Sequence, residues 1–323
     1  MARQDTKPKL GNRRVTGKEQ FYTPPETAAA VVERLLAVRA DAAGRVWIEP
    51  AGGTGAFVEA AAAAGVDEIL SFDIEPHHPR VAPGNFLEQE LSVRGAVAAG
   101  NPPFGRNNAL SIPFFNRSAD YCEIICFVVP RSWRKWSVIN RLDGRFGLID
   151  DYDLGIDYVD VGGQPCSDRG NLRTCVQTWA RQAERRPKVV IEDRGVIAKT
   201  TPAEADVSLT IFGYSCGTVK TEFERKPNTT QMFLRLVHPD ALEALRSVDF
   251  SRFFNNTAYT EALSLPEISC LLNEFIFGDS GRAGVATTQR GEPDFVEHHW
   301  VPVRGHGPHQ GTASDGGRIR SSS

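Results

Sequence analysis

Ala99-Gly100-Asn101-Pro102-Pro103-Phe104-Gly105 is the stretch from which the rest of the chain can be read. It follows Gly95-Ala96-Val97-Ala98, a small apolar run of the kind permitted in a central parallel strand buried on both faces. Two successive prolines then fix φ twice and remove two backbone donors. The first also biases Asn101 away from helix toward an extended conformation. A buried strand therefore ends in a stiff hook carrying a polar side chain, proline carbonyls outside any helix, and an aromatic ring.

Such a hook suits chemistry on a flat ring with an exocyclic amine. The amine of adenine is a poor nucleophile because its lone pair is delocalised into the ring. Two acceptors aimed at its two N–H bonds favour a pyramidal nitrogen whose lone pair points at an electrophile. The Asn101 side-chain oxygen and the Pro102 carbonyl are the candidate acceptors, and Phe104 is placed to stack on the ring. Neither acceptor is a strong base, so positioning and charge stabilisation carry the chemistry. Asn-Pro-Pro-Phe resembles the catalytic motif of S-adenosylmethionine-dependent amino-methyltransferases, which is Asp, Asn or Ser, then Pro-Pro, then an aromatic residue. The resemblance implies catalytic roles for Asn101, Pro102, Pro103 and Phe104. Without it, the same residues make an ordinary turn between strand and helix, so the neighbouring segments decide.

Arg45–Glu49 reads as a short strand, followed by Glu49-Pro50-Ala51-Gly52-Gly53-Thr54-Gly55-Ala56-Phe57. Glycines at a strand exit let backbone approach a ligand closely, and the next helix points its N-terminus at the same place. The pattern is neither the dehydrogenase Gly-x-Gly-x-x-Gly nor a phosphate-binding loop. It resembles the first cofactor motif of class I methyltransferases. That implies cofactor contacts from Pro50, Ala51, Gly52, Gly53, Gly55 and Phe57, with Glu49 near the cofactor's cationic end. Ile69–Glu75 is the second strand, and its terminal acid lies about 20 residues beyond the glycines, the spacing that serves ribose hydroxyls. Asp73 takes that role ahead of Glu75, and Ile74 packs against the cofactor's adenine. Gly84-Asn85-Phe86-Leu87 is similar to the family's third motif. Asn85 stands where an Asp usually accepts from the adenine amine, and Phe86 is expected to stack on that ring.

Ahead of these lies Gln20-Phe21-Tyr22-Thr23-Pro24-Pro25-Glu26. Thr23 and Glu26 have the spacing of a capping box, which predicts a helix from Pro24 to Ala40. Phe-Tyr-Thr-Pro is also similar to the segment that closes over the cofactor's methionine part in DNA adenine methyltransferases, implying cofactor contacts from Tyr22 and Thr23. Beyond the hook, Asn107–Ala119 reads as helix, and Glu123–Pro130, Leu148–Leu154 and Thr174–Ala180 as strands. Arg131, Trp133, Arg134 and Lys135 interleave cations with tryptophan at a strand end, as phosphate contact and base stacking require, although a solvated helix face has the same composition. Arg169 and Arg173 lie in a Gly-rich loop, Asp160–Arg173, expected over the site. Pro165-Cys166 resembles the Pro-Cys nucleophile of cytosine-C5 enzymes in its two residues alone. In those enzymes the cysteine sits in the loop occupied here by Asn101–Phe104, so Cys166 is in the wrong place.

The chain has 323 residues, 41% hydrophobic and 24% charged, so it can bury one large domain and a smaller one. A net charge of −3 gives no global attraction for nucleic acid, so any basic surface must be local. No apolar run reaches membrane-spanning length, and six scattered cysteines suit reduced thiols in a cytoplasm. Cys122 and Cys126, in an Ile/Val/Phe-rich run, read as buried strand positions. We expect a flexible basic arm over residues 1–18, a methyltransferase domain over 19–187, a small α+β accessory or target-recognition domain over 188–278 and a disordered tail over 279–323.

The order of motifs resembles gamma-class DNA adenine methyltransferases over roughly the first 180 residues, notably small phage- and plasmid-type enzymes. It implies a seven-stranded, mostly parallel Rossmann-like sheet with helices on both faces, S-adenosylmethionine as cofactor, and DNA as the partner. The expected activity is methylation of the adenine amine, with the target base flipped onto Phe104. RNA bases, or the amine of another amino-methyltransferase substrate such as a glutamine side-chain amide, are the alternatives among enzymes, and a catalytically lapsed nucleic-acid-binding protein is the alternative outside them. No membrane partner is expected, and no restriction partner or recognition sequence follows from the residues.

Overall fold

Strands β1 (Trp47–Glu49), β2 (Ile69–Asp73), β3 (Ala82–Pro83), β4 (Ala96–Gly100), β5 (Cys122–Pro130), β6 (Phe146–Leu154) and β7 (Thr174–Arg181) form one sheet in the order β3-β2-β1-β4-β5-β7-β6. The computed structural model describes residues 21–166, 172–287 and 293–296. From β3 to β5 every pairing is parallel, while β7 runs antiparallel to both β5 and β6. Alternate side chains serve opposite faces, as the period of a strand dictates. Val97, Ile124, Cys126 and Val128 pack with helices α1 (Pro25–Val38) and α2 (Ala56–Ala63). Ala98, Ile125, Phe127 and Val129 pack with α3 (Ser111–Ser118) on the other side. All five residues of β4 are buried, which accounts for its small side chains. This is the seven-stranded, mostly parallel, Rossmann-like sheet that the motif order implies.

Two local expectations need correction. Helix α1 begins at Pro25 with Pro24 as its N-cap and no side-chain cap, so the Thr23–Glu26 capping box does not form. The Thr23 hydroxyl is engaged elsewhere. The helix expected over Asn107–Ala119 is a 3-10 turn at Arg106–Asn108 followed by α3.

After β7 the chain passes through helix-free backbone into a second unit; α4 (Trp136–Ile139), between β5 and β6, lies beside it. Strands β8 (Lys188–Ile191), β9 (Ile197–Lys199), β10 (Val207–Thr210), β11 (Val219–Lys220) and β12 (Gln231–Leu236) precede helices α5 (Ala241–Ser247), α6 (Ser251–Phe254) and α7 (Leu265–Phe277). A four-stranded antiparallel sheet, β11-β10-β12-β9, buries Val207, Leu209 and Leu234 against Ala244, Leu245, Ile268 and Leu272 of the helices. Here a capping box does form: Ser264 and Glu267 cap α7.

The boundary at 187 is no loose linker. Arg186 donates to the carbonyls of Ile139, Leu142 and Phe146, and the Asn140 amide pairs with both backbone groups of Val189 at 2.8 Å. Nor is the stretch after Asp279 wholly without structure. Strand β13 (Arg282–Thr287) pairs antiparallel with β8 and with β14 (Pro293–Val296). Its start is fixed because Asp279 accepts two hydrogen bonds from Arg194, and Asn273 donates to the Ser280 carbonyl. The basic arm, Arg169 and the tail past 296 lie outside the described residues. Among those described, no helix is long and apolar enough to cross a membrane.

Candidate active site

The carboxyl ends of β2, β1 and β4 open into a cavity of about 500 Å³. It is lined on one side by Asp73, Ile74, Glu75 and Asn85, beneath by Pro50 and Ala51, and on the other side by Asn101–Arg106. Cofactor motif and hook thus face one space, where ligands bind in open α/β sheets. The glycine turn is tied to β2: the Gly52 N–H donates to the Phe72 carbonyl and the Gly53 N–H to Asp73 Oδ2, both at 2.9 Å. Gly53 has φ +47°, and a Cβ there would stand 2.5 Å from the Tyr22 ring, so only glycine lets Tyr22 lie over the turn. Burial, with the Asp73 and Glu75 carboxylates, raises the Tyr22 phenol. Ile74 stays 68% exposed on the cavity wall.

On the hook, Asn101 Nδ2 donates to Thr23 Oγ1 at 3.1 Å, which turns its Oδ1 away from the protein's donors. That oxygen is buried and has no hydrogen-bond partner among the described residues. A buried amide oxygen left unpaired costs about 1–3 kcal/mol, so its presence beside the cavity calls for a ligand donor. No hydrogen bond to the Pro102 carbonyl occurs among the described residues either. The site therefore offers two open acceptors on a backbone that two prolines hold still.

Several expected contacts are placed differently. Glu49 does not line the cavity. It lies behind the glycine turn, where Ser71 Oγ donates to it at 3.1 Å and a Cβ on Gly100 would meet it at 2.4 Å. Burial pushes its carboxyl up to about 8; the Ser71 hydrogen bond opposes this and nearby Asp73 adds to it. Glu49 is thus a neutral brace for the turn. Phe57 points into the core from α2, because the first apolar position of a helix laid on a sheet turns inward. Phe86 reaches the cavity wall but is 1% exposed and packs between Phe72 and Phe114. Asn85 caps the following turn: its Oδ1 accepts from the Leu87 N–H at 3.1 Å and its Nδ2 donates to Glu88 at 2.7 Å. Asp73 lines the cavity, and its two oxygens accept the backbone N–H groups of Gly53 and Glu75.

The basic run does not form an open nucleic-acid face. Trp133 is fully buried and donates to Ser111 Oγ at 3.2 Å, so it offers no surface for stacking. Arg131 pairs with Asp153 at 2.8 Å, and Arg134 is shared between Asp151 and Asp153 on β6. Lys135 Nζ reaches both Glu267 oxygens at 2.9 Å, and Arg173 binds Glu261 and Asn255. An acidic strand and the second unit neutralise the cations, and spacing along the sequence could not show either partner.

The cavity also takes in Phe21, the first residue of the Phe-Tyr-Thr-Pro segment, and Tyr158, Leu172, Leu110 and Phe114, which the motifs do not mark. Phe21 and Tyr158 meet edge to face at 6.3 Å, and a backbone bridge from Tyr22 to Val159 brings them together. The Phe21 position was legible from its place beside Tyr22. Tyr158 and Leu172 come from the two ends of the β6–β7 connection and carry no local signal.

No family model matches the chain. A stretch of 127 residues is 32% identical to an uncharacterized methyltransferase from Mycobacterium marinum, and the match takes in 38% of this chain. It covers 45% of that protein, so the chain spans less than half the length of this curated relative. Among solved structures, a candidate RNA methyltransferase from Pyrococcus horikoshii aligns with a TM-score of 0.41 at 17% identity, over 50% of this chain and 87% of that one. The modification subunit of a candidate type I restriction enzyme from Vibrio vulnificus YJ016 aligns with a TM-score of 0.37 at 17% identity, over 56% of this chain and 49% of that one.

Proposed function

We propose that this protein transfers a methyl group from S-adenosylmethionine to the exocyclic amine of adenine in DNA. The observation that carries this is the buried, unpartnered Asn101 Oδ1, held in orientation by Thr23 and placed beside a cavity whose other wall suits a nucleoside. Asp73 would hold the cofactor's ribose, Ile74 would cover its adenine, and Tyr22 would close over the glycine turn. When bound, the cofactor supplies an electrophilic methyl group on sulfur. The chain's own part is positional: Asn101 Oδ1 and the Pro102 carbonyl accept the two amine hydrogens, and Phe104 supports the ring. The Tyr-Thr-Pro segment supports DNA over RNA through its resemblance to the DNA-directed branch; Tyr22 lines the cavity and Thr23 accepts from the hook.

The test is incubation with methyl-labelled cofactor and unmethylated genomic DNA, with RNA of matched sequence alongside. N6-methyladenine in the DNA is expected. Asn101→Ala should abolish transfer with cofactor affinity retained, and Asp73→Ala should weaken that affinity. Full activity in the Asn101→Ala protein would rule the mechanism out, and label in RNA alone would move the substrate.

A further inference from the structure

The neutralisation of the expected basic face leaves open how a cavity with two carboxylates on its wall would receive a polyanion. Among the described residues its lining contains Asp73 and Glu75 at the β2 end and one cationic side chain, Arg106, on the segment that follows β4. Arg106 is exposed, and among the described residues no carboxylate pairs with it. By contrast Arg131, Arg134, Lys135 and Arg173 are all tied to acids.

The backbone that presents Arg106 is built for that purpose rather than left to chance. The next two residues, Asn107 and Asn108, have φ +54° and +61°, a left-handed conformation disfavoured for side chains other than glycine and tolerated best by Asn and Asp. Two such residues in succession persist only when neighbours hold them. Asn108 is buried and donates to Ser132 Oγ at 3.1 Å, and the Leu110 and Ser111 N–H groups return to the Phe104 carbonyl at 3.3 and 3.4 Å. The chain thus curls tightly after the hook and thrusts Arg106 and Leu110 outward. Leu110 is 42% exposed at the same rim, an apolar residue beside an unpaired cation.

The charges are segregated. In the order β2-β1-β4-β5, the carboxylates stand at the β2 end, while the curl carrying Arg106 is anchored through Ser132 to the segment leaving β5. The acidic end suits ribose hydroxyls and a cationic donor, and the basic end suits phosphate.

We propose that Arg106 is the phosphate contact that seats the target nucleotide, with Leu110 packing against the sugar or base beside it. This rests on the nucleic-acid reading of the site but is tested apart from it. The probes are a fluorescein-labelled mixed-sequence DNA duplex and its single strand, with binding followed by anisotropy from low to moderate salt. Arg106→Ala should weaken binding about equally for all sequences and lower the slope of log K against log salt by about 1, the signature of one lost phosphate contact. Arg106→Lys should keep the slope, and affinity for S-adenosylmethionine alone should not change in either variant. An unchanged slope in Arg106→Ala overturns the assignment. So does loss of cofactor affinity, which would place the guanidinium on the methionine carboxylate, and so does a wild-type chain that binds neither probe. Methyl transfer by the wild-type protein separately judges the proposed reaction. A chain that binds DNA with the Arg106-dependent slope but transfers nothing would refute the reaction and leave the phosphate contact standing.

Discussion

Glu49→Gln should make the protein more stable above pH 5, by an amount that grows with pH. Burial holds the folded Glu49 carboxyl at about 8, against 4.5 for an ordinary glutamate. Between those values the unfolded chain releases its proton and the folded chain keeps it, so the unfolded state gains stability as pH rises. A displacement from 4.5 to about 8 corresponds to about 5 kcal/mol, reached in full only above about pH 9, with about 3 kcal/mol at pH 7. Glutamine keeps the shape and can accept from Ser71, but it cannot ionise. Urea titrations of both proteins at pH 5, 7 and 8.5 isolate Glu49, because all other titrating groups are common to the pair. With an m-value of about 3 kcal/mol/M, the midpoints should lie within about 0.3 M of each other at pH 5 and separate by roughly 1.5 M at pH 8.5. Midpoints that move in parallel over the whole range would show that Glu49 is not held neutral, and the brace assigned to it would be wrong.

Three other perturbations address the site and its supports. Thr23→Val removes the acceptor of Asn101 Nδ2 and should lower the transfer rate roughly 10- to 100-fold, the equivalent of about 1–3 kcal/mol, with cofactor affinity little changed; rate and affinity measured separately would show it. Gly53→Ala places a Cβ at φ +47° against the Tyr22 ring and should weaken cofactor binding in calorimetry, whereas Gly65→Ala, where the surroundings are open, should not. Lys135→Met strands the buried Glu267 carboxylate and should cost about 3–5 kcal/mol in chemical denaturation, with much of the loss recovered when Glu267→Gln is added.

The sheet was legible because its strands carry their own punctuation: a glycine turn after Glu49, an acid after Phe72, and two prolines after Gly100. Each motif is local, and each strand end came out within a few residues of its expected place. What could not be read depends on partners far away in sequence. Thr23 has the spacing of a helix cap, but Asn101, 78 residues on, claims its hydroxyl. Arg134 and Lys135 look like a phosphate-binding cluster until Asp151 and Glu267 are brought beside them by β6 and by α7. Trp133 is amphipathic enough for either role, and only the packing of Phe115 against its ring decides for the core. The composition after Asp279 suggested no structure because a strand can be completed by a partner, β8, rather than by its own apolar content.

The reversed direction of β7 has a practical corollary for altering selectivity. Leu154 and Thr174 are paired neighbours, so the connection between them leaves the sheet and returns to it at one spot, and its ends supply Tyr158 and Leu172 to the cavity. None of the donor-side positions belongs to it. Val159 in that connection exchanges both backbone hydrogen bonds with Tyr22, so a segment grafted between those two anchors must keep this bridge if Tyr22 is to stay over the glycine turn.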